Sequence, residues 1–367
     1  MVLIVKRFIS TVSALLLALS LCPAANAEAV PAVSAQSAVV IHAGGETLYE
    51  KNADAKLLIA STTKIMTAIV VIENCALDDS VEILPQWCGI EGSSMYLEPG
   101  QSYTVRELLT GLLLVSGNDA ATALACHTAG SEERFVLMMN KKAAALGMRS
   151  SRFSNPHGLN AADHFSTARD MVRLMAYCMD NEAFAAISGM KNRAVGAQTL
   201  INHNRLLWRC PGCIGGKTGF TEAAGRCLVS CCERDGTRYI CVTLNAPDDW
   251  NDHGRLYDWA FSRYSDRLVT EGVSFEIPVV SGRHESVRVI PAPLTLFLPT
   301  DAELTLEAEL PYFVFAPIEA GEEAGTASIF LDGEKIAETK LLFERSVTPA
   351  ARVGKLSADA MERTENE

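Results

Sequence analysis

The sequence lacks long apolar segments after its first residues. Beyond a stretch from Val12 to Leu21, nothing approaches the roughly 20 consecutive apolar residues that a membrane-spanning helix needs. Lys6 and Arg7 precede this stretch and Ala25-Asn26-Ala27 follows it, which is the order of a secretory signal. An uncleaved anchor is the alternative, but the apolar core is short for a membrane span. We therefore expect residues 1–27 to be a cleaved signal peptide and the remainder to be exported.

Positive charge is also scarce. The chain has 32 Lys and Arg against 44 Asp and Glu, which gives a formal net charge of −12. The expected signal peptide carries two basic and no acidic residues, so −14 remains after its removal. An acidic surface repels the phosphate backbone of DNA and RNA. We therefore expect no nucleic-acid partner.

The spacings typical of metal sites are missing too. His157, Asp163 and His164 stand near one another, but no His-x-His or His-Glu-x-x-His pattern accompanies them. Among the ten cysteines after residue 27, Cys210-Pro211-Gly212-Cys213 has a spacing that suits a disulfide. A zinc site with Cys231-Cys232 is the less favoured alternative, because such sites usually show two spaced pairs. We expect a structural loop around His157, no metal and no cofactor.

The most informative stretch begins at Ser61 and Lys64. These residues head a mostly apolar run that reaches Ile72, which predicts a buried helix. A spacing of three places both side chains on one face of that helix. A serine hydroxyl needs a neighbouring base at neutral pH, and a lysine can serve if burial lowers its pKa. The N–H groups at the start of the helix would face a developing oxyanion.

Two further motifs separate this pair from a chance match. Ser-x-x-Lys is expected about once by chance in a chain of this length, and a second copy starts at Ser188. That copy lies among Gly and basic residues, so we interpret it as accidental. Ser116-Gly117-Asn118 falls between two apolar helical patterns, and Lys217-Thr218-Gly219 falls in a predicted strand. Alone, the Ser116 motif is typical of residues that cap two helices, and Lys217 is typical of a solvated lysine in a strand. Together and in this order, the three motifs indicate a serine acyl-transfer enzyme.

The pattern changes near residue 267. Before it, helical periodicity alternates with strand-like runs; after it, short alternating runs are broken by Pro and Gly. We expect a catalytic domain over residues 28–266 and a small all-β, sandwich-like domain over residues 267–349. Residues 350–367 lack the large apolar face of an interfacial helix, so we expect a solvated or disordered tail with no evident membrane anchor.

With these motifs in order, the chain resembles the low-molecular-mass penicillin-binding proteins that are serine D-alanyl-D-alanine carboxypeptidases. The resemblance extends over about residues 30–265 and implies an α/β (α+β) fold of the serine β-lactamase and penicillin-binding-protein type. In that fold an antiparallel sheet packs with a helical subdomain, and a β-rich domain follows. The blocks that carry the resemblance are Leu48-Tyr49-Glu50-Lys51-Asn52-Ala53-Asp54, the stretch 112–121 around Ser116, Asn155-Pro156-His157-Gly158-Leu159 and the stretch 215–221 around Lys217.

The resemblance implies catalytic roles for the first two motifs. Ser61 would be the acylated nucleophile, and Lys64 would be the base that takes its proton. Ser116 and Asn118 would form the opposite wall, relay a proton to the departing D-alanine and hold the substrate amide.

It implies substrate binding for the third motif. Lys217 and Thr218, with Gly219, would bind the terminal carboxylate of the peptide. The backbone N–H groups of Ser61 and Phe220 would form the oxyanion hole. Some family members have a histidine where Phe220 stands; a backbone contact survives that difference, whereas any side-chain contribution would change.

The resemblance also implies partners and a location. Peptidoglycan stem peptides would be the substrates, β-lactams would be covalent inhibitors, and the protein would act outside the cytoplasmic membrane, in the cell wall or periplasmic space. A D,D-endopeptidase of peptide cross-links would use the same residues, and a catalytically idle penicillin-binding or wall-binding protein would keep the fold. A class A β-lactamase is disfavoured because the chain lacks the Glu-x-x-Leu-Asn pattern that supplies its deacylating glutamate.

Overall fold

The computed structural model describes residues 30–350, which form two compact units that meet in sequence between Arg263 and Tyr264. The predicted signal peptide, and the predicted tail apart from Ala350, lie outside the described residues. Within residues 30–350, no helix has both the length and the apolar character needed to cross a membrane.

The first unit is built on an antiparallel sheet of five strands. Its strands lie in the order β2-β1-β9-β8-β7, so segments that are far apart in the sequence pair with one another. Strand β7, which carries the Lys-Thr-Gly motif, is therefore an edge strand. The five strands are β1 (Ser37–His42), β2 (Thr47–Lys51), β7 (Cys213–Thr221), β8 (Gly225–Arg234) and β9 (Thr237–Leu244), and two small hairpins are added by β3 (Ser80–Glu82) with β4 (Ser102–Thr104) and β5 (Asn192–Val195) with β6 (Gln198–Ile201).

The helices of this unit pack around one helix that is almost wholly buried. Helix α1 (Lys64–Ile72) follows a 3₁₀ turn over Ala60–Thr63, and its residues through Val71 are all buried. Because α1 is buried on all sides, its sequence is a nearly continuous apolar run rather than the periodic pattern of an amphipathic helix. The other helices are α2 (Val105–Leu114), α3 (Asn118–Ala129), α4 (Glu132–Ala145), α5 (Ala168–Met179), α6 (Glu182–Ser188), α7 (Leu206–Arg209) and α8 (Asp249–Arg263), and a further 3₁₀ turn covers Pro85–Trp87.

Local chemistry sets the ends of α2 and α3. Thr104 and Glu107 form a capping box at the start of α2, which satisfies backbone N–H groups that have no partner within the helix. Gly130 ends α3 in the left-handed conformation, where glycine has no steric penalty. The two helices are separated by only three residues, so the Ser116 motif lies in a tight turn between them, as predicted.

The second unit is all β, which confirms the expected small β domain. Its main sheet has six strands in the order β14-β16-β17-β12-β11-β15, and a separate two-stranded pair joins β10 to β13. Inward-facing residues such as Val287, Val289 and Leu341 form its core. The strands are β10 (Tyr264–Leu268), β11 (Phe275–Val280), β12 (Ser286–Pro291), β13 (Thr295–Pro299), β14 (Leu304–Glu309), β15 (Val314–Phe315), β16 (Glu323–Leu331) and β17 (Glu334–Phe343).

Candidate active site

Ser61 and Lys64 lie in contact at the junction of the 3₁₀ turn and α1. The Nζ atom of Lys64 is 3.1 Å from Ser61 Oγ. The same nitrogen donates to Asn118 Oδ1 and to the backbone carbonyl oxygen of His157, each at 2.6 Å. Ser61 is partly exposed, whereas Lys64 is fully buried. One amine therefore links Ser61 to α3 and to the loop at residues 155–159.

The surroundings of Lys64 favour its neutral form. Burial lowers its pKa well below 10.5, nearby Lys217 lowers it further, and Asp119 acts in the opposite direction. A neutral amine has two N–H groups and one lone pair. The two carbonyl oxygens, of Asn118 and His157, accept the two N–H groups. The lone pair then remains for the hydroxyl proton of Ser61, which is the geometry that a general base requires.

Ser116 occupies a strained position in the turn between α2 and α3. Its φ is +63°, although it is not a glycine, and its side chain is only 4% exposed. Among the described residues, Ser116 Oγ has no hydrogen-bond partner. A buried hydroxyl without a partner costs free energy, and such groups concentrate at functional sites.

Asn118 is oriented by its other contacts. Its backbone N–H donates to Ser93 O at 2.7 Å, and its side-chain Nδ2 donates to Glu91 O, which leaves Oδ1 for Lys64. The adjacent Asp119 is buried and accepts from the backbone N–H of Met95 at 2.9 Å. The loop at residues 91–97 is thereby fixed over the start of α3. No motif in the sequence marks this contribution, because it consists mainly of backbone groups.

Strand β7 brings the third motif against Ser61. Lys217 is 1% exposed, donates to Thr218 O at 2.7 Å, and has its pKa lowered to about 7 by burial. A Cβ at Gly219 would lie 3.0 Å from Ile59 O and 3.0 Å from Ser61 N, so only glycine fits this approach comfortably. Phe220, by contrast, is 63% exposed.

These groups border an open cleft of about 720 Å³. Five of the eight predicted site residues line it, Lys64 and Asn118 contact one another beside Ser61, and Lys217 adjoins Thr218 in β7. The cleft is lined by Ser61, Ser93, Val115, Ser116, Thr199, Ile201, Asn202, His203, Arg205, Thr218, Gly219, Phe220, Arg226, Asp249 and Trp250. All of these residues belong to the first unit.

One wall of the cleft carries a charged cluster that the sequence analysis missed. Arg226, at the start of β8, donates to Asp249 at 2.9 Å and lies 5.5 Å from the centre of the Trp250 ring. Arg205 also lines the cleft, from the segment before α7. The cleft is therefore lined by two guanidinium groups, of which that of Arg226 is paired with Asp249.

The loop at residues 155–159 contacts α1 through its backbone. His157 O accepts from Lys64, and Pro156 O accepts from Thr67 Oγ1 at 2.6 Å. The imidazole of His157 has its pKa lowered to about 4 by burial and by nearby Lys64. The structure thus gives His157 a supporting contact of the kind that a structural loop provides. Within residues 30–350, no group of three His, Cys, Asp or Glu side chains is placed to hold a metal ion.

His164 fixes the 3₁₀ turn over Ala60–Thr63, which contains Ser61. Its Nδ1 accepts from the backbone N–H of Ser154 at 3.1 Å, so the proton of the neutral ring is on Nε2. Nε2 lies 2.7 Å from Thr63 Oγ1, which in turn donates to Ala60 O at 2.8 Å. Ala60 has a φ of +45°, and this chain of hydrogen bonds holds it there.

We expect Gly158→Ala to damage the site far more than a comparable glycine substitution. Gly158 has a φ of +92°, and a Cβ there would lie 2.0 Å from Ala60 O. The matched control is Gly147→Ala, because Gly147 has a φ of +71° but open space around it. The control should cost about 1–2 kcal/mol of unfolding free energy, and Gly158→Ala ~3 kcal/mol or more, measured by urea unfolding. Equal losses of unfolding free energy in the two variants would contradict the close packing of the loop at residues 155–159 against Ala60.

Both units of the chain match known proteins. Residues 24–248 match the family model described as D-alanyl-D-alanine carboxypeptidase, and residues 267–349 match the C-terminal domain of penicillin-binding protein 5. D-alanyl-D-alanine carboxypeptidase DacF of Bacillus subtilis is 32% identical, over 94% of this chain and 95% of the relative. DacC of Escherichia coli is 34% identical, over 89% of this chain and 87% of the relative.

Solved structures give the same result. Penicillin-binding protein 5 of Haemophilus influenzae superposes with a TM-score of 0.67 at 29% identity, and the match covers 87% of this chain and 99% of that one. The Streptomyces K15 DD-transpeptidase superposes with a TM-score of 0.61 at 32% identity, covering 63% of this chain and 98% of that one. The fold is therefore the expected penicillin-binding-protein type, and the chain belongs to the D-alanyl-D-alanine carboxypeptidase family.

Proposed function

We propose that the protein is a serine-type D-alanyl-D-alanine carboxypeptidase that removes the terminal D-alanine from peptidoglycan pentapeptide stems. The observation that carries this proposal is the contact between Ser61 Oγ and the buried amine of Lys64 at the edge of the cleft. Such a substrate lies outside the cytoplasmic membrane, so the proposal includes export and a role in cell-wall biogenesis and cell shape.

In the proposed acylation step, Ser61 attacks the carbonyl carbon of the penultimate D-alanine. Its hydroxyl proton passes to the lone pair of Lys64 as the new C–O bond forms. The backbone N–H groups of Ser61 and Phe220 stabilise the negative oxygen. The close approach of Gly219 to Ser61 N supports this assignment, because Phe220 is the next residue of β7.

The leaving group needs a proton, and Ser116 is the proposed donor. Ser116 lines the cleft and its buried hydroxyl has no hydrogen-bond partner among the described residues, so we assign it the proton donation to the departing amine, followed by reprotonation from Lys64. Asn118 holds Lys64 through Oδ1 during this exchange. Water then attacks the acyl-enzyme, with Lys64 again as base, and releases a peptide that is one residue shorter. β-Lactams, which also present an amide and a carboxylate, would acylate Ser61 in the same way.

The product of the reaction tests this proposal. The full chain is incubated with a pentapeptide ending in D-alanyl-D-alanine and, separately, with a cross-linked peptide dimer. We expect free D-alanine from the pentapeptide, at a rate at least tenfold above the cleavage of the dimer. Faster cleavage of the dimer would indicate an endopeptidase. Failure with both substrates, together with no labelling by a fluorescent penicillin, would indicate an idle binding protein.

The pH dependence tests the proposed role of Lys217. Its folded-state pKa is lowered to about 7 by burial, and only the protonated form attracts the substrate carboxylate. Binding is therefore favoured below this pKa and is lost as the pH rises through it, so we expect kcat/KM to fall above about pH 7. In Lys217→Arg, whose guanidinium stays charged, the remaining activity should not fall over this range. An unchanged alkaline limb in that variant would assign the limb to another group.

A further inference from the structure

Three cysteines that the proposed reaction does not use meet at the start of β7. Cys210 ends α7, Cys213 begins β7, and Cys232 lies in β8 directly opposite Cys213 in the register of the sheet. The Sγ atoms of Cys210 and Cys232 are 3.6 Å apart, which is van der Waals contact. The spacing of Cys210 and Cys213 suggested a pair within the turn, whereas the fold places Cys210 against a residue of the neighbouring strand.

The turn that presents Cys210 is fixed to β8 by its backbone. Gly212 has a φ of +82°, and its carbonyl oxygen accepts from Glu233 N at 2.8 Å. A Cβ at Gly212 would lie 2.4 Å from Glu233 O, so no larger residue fits. The two sulfur atoms are therefore held together by backbone contacts on both sides.

The two thiols have different environments. The guanidinium of Arg234 lies 3.8 Å from Cys210 Sγ and 3.0 Å from Asp258, so one cation stands over the Cys210 sulfur. The hydrogen bond from Cys232 and the nearby Arg234 lower the pKa of Cys210 to about 7, whereas burial raises the pKa of Cys232. Cys210 is thus the more nucleophilic thiol, and Cys232 is the less reactive thiol beside it.

Cys210 also has an opening to solvent. It is 8% exposed and lines a second cavity of about 380 Å³. This cavity shares only Trp250 with the residues that line the cleft at Ser61. Cys232 is fully buried and does not line this cavity. A small molecule in the cavity therefore meets Cys210 and not Cys232.

We propose that Cys210 is a thiol-modification site that reacts with small disulfides and then passes the bond to Cys232. The Cys210 thiolate attacks one sulfur of a small disulfide, which gives a mixed disulfide on Cys210 and releases one small thiol. The Cys232 thiol then loses its proton and attacks Cys210 Sγ, forming the Cys210–Cys232 disulfide and releasing the second small thiol. The protein loses two electrons and two protons, and the small disulfide is reduced to two thiols.

Oxidised glutathione tests both steps on the full chain. After incubation of the folded protein, the free thiols are alkylated and the linked peptides are mapped by mass spectrometry. Wild type should yield one Cys210–Cys232 link, and its melting temperature should rise by roughly 5 °C or more. In Cys232→Ser the second step is removed, so one glutathionyl group should accumulate on Cys210.

Cys227→Ser is the matched control, because Cys227 is a buried cysteine of the same strand whose Sγ lies near Leu58 O rather than near another sulfur. It should oxidise as wild type does, and Cys210→Ser should form neither product. A wild-type link between Cys210 and Cys213, or no link at all, would overturn the proposal. Glutathione found elsewhere than on Cys210 in Cys232→Ser would also overturn it. The wild-type map decides the question even if a variant fails to fold.

Discussion

Replacing Ser61 with alanine is expected to abolish covalent labelling by penicillin and to lower D-alanine release by roughly 10⁴-fold or more. The reason is that the acyl-enzyme cannot form without Oγ, the atom that lies 3.1 Å from the amine of Lys64. Loss of one hydroxyl from a partly exposed residue should leave stability nearly unchanged. Labelling with a fluorescent penicillin, D-alanine release and a melting curve measure the three effects on one preparation.

The second Ser-x-x-Lys copy supplies the control for this experiment. Ser188 is buried at the end of α6, and its Oγ contacts only the carbonyl oxygen of Ala185, at 3.4 Å, among the hydrogen bonds of the described residues. It does not line the cleft. Ser188→Ala should therefore keep its activity within about twofold, as surface and non-site substitutions do. If Ser188→Ala lost labelling and Ser61→Ala retained it, the nucleophile would be Ser188 and not Ser61.

The parts of the site that could be predicted from the sequence are those set by short-range geometry. A spacing of three on a helical turn brings Ser61 and Lys64 into contact whatever the rest of the chain does. The turn of Ser116 and Asn118 was predictable because apolar helical patterns stop and restart on either side of it. The order of the three motifs then identified the family, although no spacing gave the distances between them.

The parts that could not be predicted depend on backbone groups and on long-range packing. The contact that orients Lys64 comes from the carbonyl oxygen of His157, 93 residues away, and any residue type offers such an oxygen. Arg226 and Asp249 meet because the start of β8 lies beside the start of α8, and neither position carries a motif. Only the fold brings these groups to the cleft.

Helix α6 and the two strands β5 and β6 were not predicted, for a different physical reason. Helix α6 is seven residues long, too short for a 3.6-residue period to show clearly. Strands β5 and β6 have four residues each and are mostly exposed, so they lack the alternation of apolar and polar residues that marks a half-buried strand. Strand β6 nevertheless reaches the site, because Thr199 and Ile201 line the cleft.

Substitution of Lys64 is expected to have the second largest effect, and two variants separate its possible roles. Lys64→Ala removes the base, and Lys64→Arg keeps a cation that cannot be deprotonated. If Lys64 acts as a neutral amine that accepts the proton of Ser61, both variants should lose acylation by roughly 10³-fold or more. If it acts only as a positive charge, Lys64→Arg should retain most of the rate. The rate of labelling by a fluorescent penicillin measures acylation directly.

The folded state and the pH profile complete this test. Lys64→Ala leaves the carbonyl oxygens of Asn118 and His157 without their donor, at a cost of about 1–3 kcal/mol, but it also removes a buried amine that is costly to charge. We therefore expect the circular dichroism spectrum to be unchanged and the melting temperature to shift by only a few degrees. In wild type, acylation should increase as the pH rises through the lowered pKa of Lys64, because only the deprotonated amine can accept the proton. An arginine variant that acylates within tenfold of the wild-type rate, with the same acid limb, would show that the base is a group other than Lys64.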